Sequence, residues 1–513
     1  MRPSDRTRGG IARFVATALA LAAPALALGQ TAAPQGTPVA PPVQAVPGVG
    51  SAAAQLPGAT LPGESLPGET ALGLVPQPAE LTRYGIAAGI GETDNVGLTN
   101  TNPKSQTIAA ADADFDIRRT GSRFDASGIG NFTDLNYLEG AYGNQVLGRF
   151  DGLADAKLWT DHLKWVFADD YGEQQTDPFA TITPVNLQRV NVFSTGPDLT
   201  LRPGGGATFV DLDARYSKIT YQTSPFDGHN LTGYAELGHD LSPLSSLSLV
   251  VQAEELRFDN TTVNTDYDRR EGYARYLTLG ARTSIDAQLG ATQANDVGSS
   301  WKTGPLARLT LTRKVSPFSL LTLSGAREYT DAGGSFSSLE SGAAGGIVVA
   351  PVSQTTSNAT RTDGSAGWFF LRERTTIGLT GGWERDAYDI QPLYSVTRED
   401  IELSLTRFLT PKLSAAISAS ADRYDYFNQG FSDKFGTAGA GLVYRPGSWV
   451  IVYARYDHAF RRTYGIPSAL VGGQGYDENR VFVMVGYRPH SEDMEEGGGM
   501  GMGGELPGAA PTP

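Results

Sequence analysis

Ile108-Ala109-Ala110-Ala111-Asp112-Ala113-Asp114-Phe115-Asp116-Ile117-Arg118 decides the fold. Successive side chains of a strand point to opposite faces, so this stretch sorts itself into two surfaces. Ala109, Ala111, Ala113, Phe115 and Ile117 take one side, and Asp112, Asp114, Asp116 and Arg118 take the other. A soluble sandwich core would not accept three carboxylates and a guanidinium on one face. A water-filled lumen accepts them, and the opposite, small and apolar face can meet lipid. The D-x-D-x-D run also resembles the opening of a calcium loop, but such a loop needs Gly at its sixth position and Ile117 stands there.

The same grammar recurs from about Leu81 to Pro489 in stretches of roughly ten to fourteen residues, the length of a tilted membrane strand. Val210, Leu212, Ala214 and Tyr216 oppose Asp211, Asp213, Arg215 and Ser217; Leu247, Leu249, Val251 and Ala253 oppose Ser248, Gln252 and Glu254. Ala307, Leu309 and Leu311 oppose Arg308, Thr310 and Thr312; Ile401, Leu403 and Leu405 oppose Asp400, Glu402, Ser404 and Thr406. Trp449–Tyr456 and Val481–Tyr487 are apolar on both faces, so their outward set is not fixed by pattern. Past the N-terminus no stretch of 18 apolar residues occurs, which excludes ordinary membrane helices and leaves a closed barrel as the way to satisfy the backbone in lipid.

Compact Pro breaks at Arg202-Pro203-Gly204, Ser242-Pro243-Leu244, Ser316-Pro317-Phe318, Thr410-Pro411-Lys412 and Arg445-Pro446-Gly447 read as short turns. Longer segments between them, Gly172–Arg189, Asp259–Asp268, Asp331–Gln354 and Arg461–Asp477, read as loops of the opposite rim. Each interval between Pro turns holds an even number of strands, and six fit before Pro203, near 82–92, 106–118, 123–138, 145–158, 163–171 and 190–201. The prediction is all-β: a single antiparallel up-and-down transmembrane β-barrel of about 20 strands, with 18 as the alternative and disordered N- and C-terminal tails. Even parity puts both termini in the periplasm.

Residues 1–29 carry the marks of a secretory signal: Arg2, Arg6, Arg8 and Arg13, an apolar run from Phe14 to Leu28, and a small-x-small site at Ala27-Leu28-Gly29. Residues 30–80 are rich in Pro, Ala and Gly, with Leu-Pro-Gly repeated at Leu56, Leu61 and Leu66, and form a mobile linker able to meet a periplasmic partner. This leader is too small and too low in complexity to be a folded plug. Residues 81–489 make the barrel, and 490–513 an acidic, Gly/Met-rich tail. There is no Cys, which suits an oxidising compartment. The net charge of -14 argues against nucleic acid as a partner.

Function then falls to the polar ladder. Asp112, Asp114, Asp116, Arg118, Arg149, Asp155, Asp211, Asp213, Arg215, Glu254, Arg308, Asp400 and Glu402 are the pore-lining candidates, with Asp151, Lys157, Glu236, Lys314 and Asp422 beside them. Charged rings select ions by Coulomb attraction, and the acid excess points to cations. The competing reading is that these charges pair across strands at about 0.2–1 kcal/mol each and only hold a wet interior. Aromatics near strand ends, namely Trp159, Trp165, Tyr216, Tyr221, Phe258, Trp383, Tyr424, Tyr426, Tyr444 and Tyr487, are expected to form interfacial girdles. No enzyme is expected: the chain lacks G-x-S-x-G and H-E-x-x-H, and its five His stand in no catalytic motif. No cofactor or metal is called for.

The export signal, the Pro-rich leader and a first strand, Tyr84–Gly91, ending in Glu92-Thr93-Asp94-Asn95-Val96 resemble the outer-membrane β-barrel porin families of proteobacteria, in particular the beta-barrel porin 2 type. The resemblance covers about residues 81–489 and implies a barrel and a pore in the outer membrane, with lipid and the barrel assembly machinery as partners. Some relatives look associated with surface polysaccharide export, which supplies an alternative; a closed structural or adhesive barrel is another. The chain departs from the usual aromatic last residue, since a Gly/Met/Pro tail follows Tyr487.

Overall fold

The computed structural model describes residues 80–160, 162–176, 183–261, 264–296, 300–330, 359–389, 392–465 and 475–488. The expected signal at 1–29, nearly all of the expected linker at 30–80, the expected loop Asp331–Gln354 and the expected tail from 490 lie outside the described residues. Twenty strands account for the remainder: β1 (Glu80–Thr93), β2 (Gln106–Thr120), β3 (Phe124–Tyr137), β4 (Gln145–Trp159), β5 (Leu163–Gln175), β6 (Leu187–Leu201), β7 (Thr208–Tyr221), β8 (Gly228–Ser242), β9 (Ser245–Phe258) and β10 (Tyr267–Leu279). Then follow β11 (Thr283–Asp296), β12 (Lys302–Ser316), β13 (Ser319–Thr330), β14 (Ala359–Arg372), β15 (Thr375–Tyr388), β16 (Val396–Thr410), β17 (Leu413–Tyr426), β18 (Phe431–Tyr444), β19 (Val450–Tyr464) and β20 (Tyr476–Tyr487).

Every strand pairs antiparallel with its sequence neighbours, and β1 pairs with β20 from Ile86↔Tyr487 to Thr93↔Arg480. The sheet is therefore a closed up-and-down barrel whose first and last strands pair over eight residues, the arrangement by which a membrane sheet satisfies its ladder internally. The strand count between successive Pro turns is two, four, four, two and two, as the parity argument requires. One rim carries only short connections, such as Pro243-Leu244 and Pro411-Lys412, and the other carries the longer ones, including residues 94–105, 176–186 and 465–475.

Three loops are shorter than the sequence suggests. Gly172, Glu173 and Gln174 continue β5 by pairing with Val190, Arg189 and Gln188, so the connection between β5 and β6 shortens to residues 176–186, with a helical turn at Pro184–Asn186 among the described residues. Similarly β19 runs on to Tyr464, β20 begins at Tyr476, and β10 begins at Tyr267. Polar strand ends that project beyond an apolar band look like loop in sequence, because their outer face has lost its apolar residues.

Register assigns every side chain to a face. Pairs such as Arg83↔Asp116, Asp112↔Thr133 and Asn131↔Arg149 continue one set around the ring. That set is the inner one, since its side chains reach over intervening strands: Tyr453 of β19 donates to Asp112 of β2 at 3.0 Å, and Arg308 of β12 meets Glu271 of β10 at 2.9 Å. Only on a concave wall do such side chains converge. The other set is the outer one and holds most of the exposed large apolar side chains, among them Ile86, Leu237, Leu249, Leu289, Leu309, Leu403, Ile417 and Val483.

The two strands that pattern alone left open are resolved. Val450, Val452, Ala454 and Tyr456 of β19 and Val481, Val483, Val485 and Tyr487 of β20 point outward. Ile451, Tyr453, Phe482 and Met484 point inward and join Ile108, Leu135, Tyr137 and Val443 in an apolar stripe over the closure seam. Each fully buried aliphatic or aromatic side chain there contributes about 1.5–3 kcal/mol. Glycine makes the stripe possible: a Cβ at Gly91 would lie 2.3 Å from the Phe482 ring, and one at Gly89 2.2 Å from the Val483 carbonyl. Of the aromatics expected in girdles, Trp165, Tyr216, Trp383, Tyr444 and Tyr487 face outward, as a girdle requires, Trp159 stands opposite Leu163 at the register shift that ends β4, and Tyr221, Phe258, Tyr424 and Tyr426 face inward, which a girdle does not allow. The failure is one of parity, because position near a strand end does not say which face a ring takes.

Candidate functional site: the inner wall

All thirteen lining candidates are on the inner face. Asp112, Asp114, Asp116 and Arg118 extend down β2, Arg149 and Asp155 lie on β4, and Asp211, Asp213 and Arg215 on β7. Glu254 is on β9, Arg308 on β12, and Asp400 and Glu402 on β16. Asp151, Lys157, Glu236, Lys314 and Asp422 share that face. The D-x-D-x-D run is strand throughout, so its carboxylates stand two residues apart on one wall instead of curling round an ion.

The wall divides into sectors of different electrostatic character. From β8 to β13 the charges form a web: Arg269 meets Glu254 at 2.5 Å, and Arg308 meets Glu271 at 2.9 Å and also pairs with Glu328. Arg275 meets Asp286 at 2.6 Å and lies 3.9 Å from Glu236, to which Tyr234 donates. The Arg308 guanidinium also sits over the Tyr273 ring at 5.7 Å. Here the pairing alternative applies, and this part of the wall is neutralised.

Other sectors are acid-rich. On β14 to β17 the inward set includes Asp363, Glu384, Asp386, Asp400, Glu402 and Asp422, against Arg361 and Arg398. Arg361 is 3.0 Å from Asp386 and 3.7 Å from Glu384, while Arg398 reaches Asp422 only at 3.7 Å. The β4 to β7 sector is similar: Lys164 bridges Asp155 at 3.6 Å and Asp198 at 3.3 Å, and Arg215 holds Asp213 at 2.7 Å.

One feature of this wall could not be read before register was known. Carboxylates stand directly opposite one another on neighbouring strands at six places: Asp125↔Asp155, Asp151↔Asp170, Asp198↔Asp213, Asp211↔Glu236, Asp363↔Glu384 and Asp400↔Asp422. Directly opposed like charges destabilise a sheet unless water and counter-ions screen them. Lys157, Lys164 and Arg215 bridge four of these carboxylates, Asp125, Asp155, Asp198 and Asp213, and the other opposed pairs have fewer basic partners. In sequence these residues are scattered aspartates and glutamates; pairing alone brings them together.

Sequence reasoning missed the inward apolar patches. Besides the seam stripe, Val190, Val192, Ile219, Leu256 and Tyr267 form one cluster, and Val250, Tyr273 and Leu306 another. They cover only part of the wall, leaving polar sectors between them. Also unforeseen is Arg461–Asp433 at 2.6 Å, fully buried with the guanidinium 5.1 Å from the Phe435 ring centre.

Fold and inner wall together define the class: a single-chain, closed, 20-strand antiparallel β-barrel with an apolar outside and a charged inside. No family model matches the chain, so the porin resemblance is not carried by one, and no curated protein matches either. Solved structures that match the chain include the ferric enterobactin receptor of Pseudomonas aeruginosa, at TM-score 0.42 and 11% identity over 80% of this chain and 81% of that one. The FrpB iron transporter of Neisseria meningitidis matches at TM-score 0.41 and 9% identity over 79% and 81%, and the siderophore receptor PirA of Pseudomonas aeruginosa at 0.41 and 12% over 80% and 81%. Likeness at this level transfers no ligand or activity; the barrel rests on its own strand pairing.

Proposed function

We propose that the protein is an outer-membrane channel for passive diffusion of ions and small hydrophilic solutes, with a preference for cations, and that it performs no catalytic step. The observation that carries this reading is the recurrence of directly opposed carboxylates on the inner wall, combined with an apolar outer band. Bacterial barrels keep short turns on the periplasmic side and long loops outside, which orients the Pro-turn rim and both termini toward the periplasm. A permeating cation loses part of its hydration near the wall and regains favourable interaction from fixed negative charge, whereas an anion meets repulsion at every acidic sector.

Purified protein in a planar bilayer is expected to give stable conductance steps and, under a potassium chloride gradient, a reversal potential of cationic sign. Combining Asp400→Asn, Glu402→Gln and Asp422→Asn is expected to lower the cation-to-anion permeability ratio about twofold while steps persist. Silence at both polarities, or an anionic reversal potential, contradicts the reading.

A further inference from the structure

Basic residues without a carboxylate partner gather on one arc of the short-turn rim. At the long-loop rim several outward or loop-side bases are paired, Arg257 with Asp268 at 2.6 Å, Lys218 with Asp259 at 2.7 Å, Arg462 with Asp477 at 2.7 Å and Lys302 with Asp389 at 2.7 Å, while Arg385 and Lys434 lie over the Phe427 and Tyr464 rings. At the short-turn rim between β10 and β17, Arg282, Arg313, Arg372, Arg374, Arg407 and Lys412 are all exposed. None of the six pairs with a described carboxylate, and Glu373 is the only acid among these four turns and the strand ends adjoining them. An arc of uncompensated cations on a chain of net charge -14 is a local reversal of the molecule's sign.

The surroundings of the arc select its partner. Arg313, Arg372 and Arg407 are outward-facing, each at the foot of an outer apolar row: Leu311 and Leu309, Phe370 and Trp368, Leu405 and Leu403. Val315, Phe318 and Leu409 are 60%, 50% and 48% exposed at the same level. A soluble acidic protein would meet the cations but leave these apolar side chains in water. An anionic amphiphile satisfies both, its phosphate against the guanidinium groups and its acyl chains along the rows above, and arginine matches phosphate oxygens in a two-pronged geometry.

We propose that this arc is a docking surface for anionic phospholipid of the leaflet that meets the short-turn rim. The proposal rests on the membrane-channel reading above. A basic group at an anionic membrane surface favours association by about fivefold, so several of them enrich acidic lipid in the first shell without any deep pocket. Trp368 lies within the arc and is 37% exposed, which supplies a reporter on the spot.

The test reconstitutes the full chain in vesicles with a trace of brominated phosphatidylglycerol or, separately, brominated phosphatidylcholine, and reads quenching of tryptophan fluorescence. Apparent association of the brominated phosphatidylglycerol is expected to exceed that of the phosphatidylcholine by roughly fivefold at low salt. In the variant with all six bases replaced, Arg282→Gln, Arg313→Gln, Arg372→Gln, Arg374→Gln, Arg407→Gln and Lys412→Gln, the ratio is expected to fall to about one, and a single Arg372→Gln variant to lower it partway. Equal quenching by the two lipids in the unmodified protein overturns the proposal and leaves a soluble acidic partner as the reading of the arc. A preference that survives the six-base variant overturns it as well. Failure to insert into either vesicle contradicts the membrane reading itself, and so differs from a folded barrel without lipid preference.

Discussion

Asp169 is the residue most at odds with its surroundings. It sits midway along β5 on the outer face, opposite Gly152 and Phe193, and between the outward rings of Phe167 and Tyr171. Other outward charges, such as Lys218, Arg257, Arg313 and Arg423, stand toward a rim. One Asp169 carboxylate oxygen is buried without a hydrogen-bond partner. A carboxylate on the lipid face is unfavourable in a depth-dependent way, so Asp169→Leu is expected to raise unfolding stability in vesicles by on the order of 1 kcal/mol. A loss of stability in denaturant titration would instead assign Asp169 a protein contact. Arg461 and Asp433 are the opposite case: a fully buried pair, where removing one partner strands the other. Arg461→Met is expected to cost about 3–5 kcal/mol, and the double change Arg461→Met with Asp433→Leu to recover most of it, measured in the same titration.

Among elements, the β1–β20 seam is where chain ends become a barrel. The ladder there runs over eight register pairs, Ile86↔Tyr487 to Thr93↔Arg480, and Glu80–Gly85 extends beyond the end of β20. Arg488 ties this lower part together, donating from its guanidinium to Asp114 at 2.5 Å and from its backbone to the Trp449 carbonyl. Ala88 and Val485 are outward-facing register partners on the seam. In a chain without native cysteine, Ala88→Cys with Val485→Cys is expected to form an oxidised cross-link that changes gel mobility under denaturing, non-reducing conditions. Absence of the cross-link in folded protein would contradict closure between these strands. Strand existence, number and parity were legible because Pro turns punctuate alternation. Loop lengths were not, since residues such as Glu173 and Gln174 are polar on both faces yet paired with β6. The face of every charged candidate was legible, because apolar neighbours two residues apart define the outside. The opposition of carboxylates was not, because it depends on which residue each strand sets against its neighbour, and alternation within one strand does not fix that without the length of the turn between them.

At the scale of the whole molecule, the barrel separates three environments: an apolar outer band, a rim with uncompensated bases, and an inner wall in which neutralised and acidic sectors alternate. Ion conduction requires the last of these to be wet across its height. The most direct measurement is a single-cysteine scan of β16 in the reconstituted protein, with a membrane-impermeant thiol reagent. Positions Asp400, Glu402 and Ser404 face inward, and Ile401, Leu403 and Leu405 face outward. The account predicts that cysteines at the three inward positions react rapidly and those at the three outward positions do not. Uniform protection of all six, or reaction of the outward set alone, would contradict a water-filled lumen.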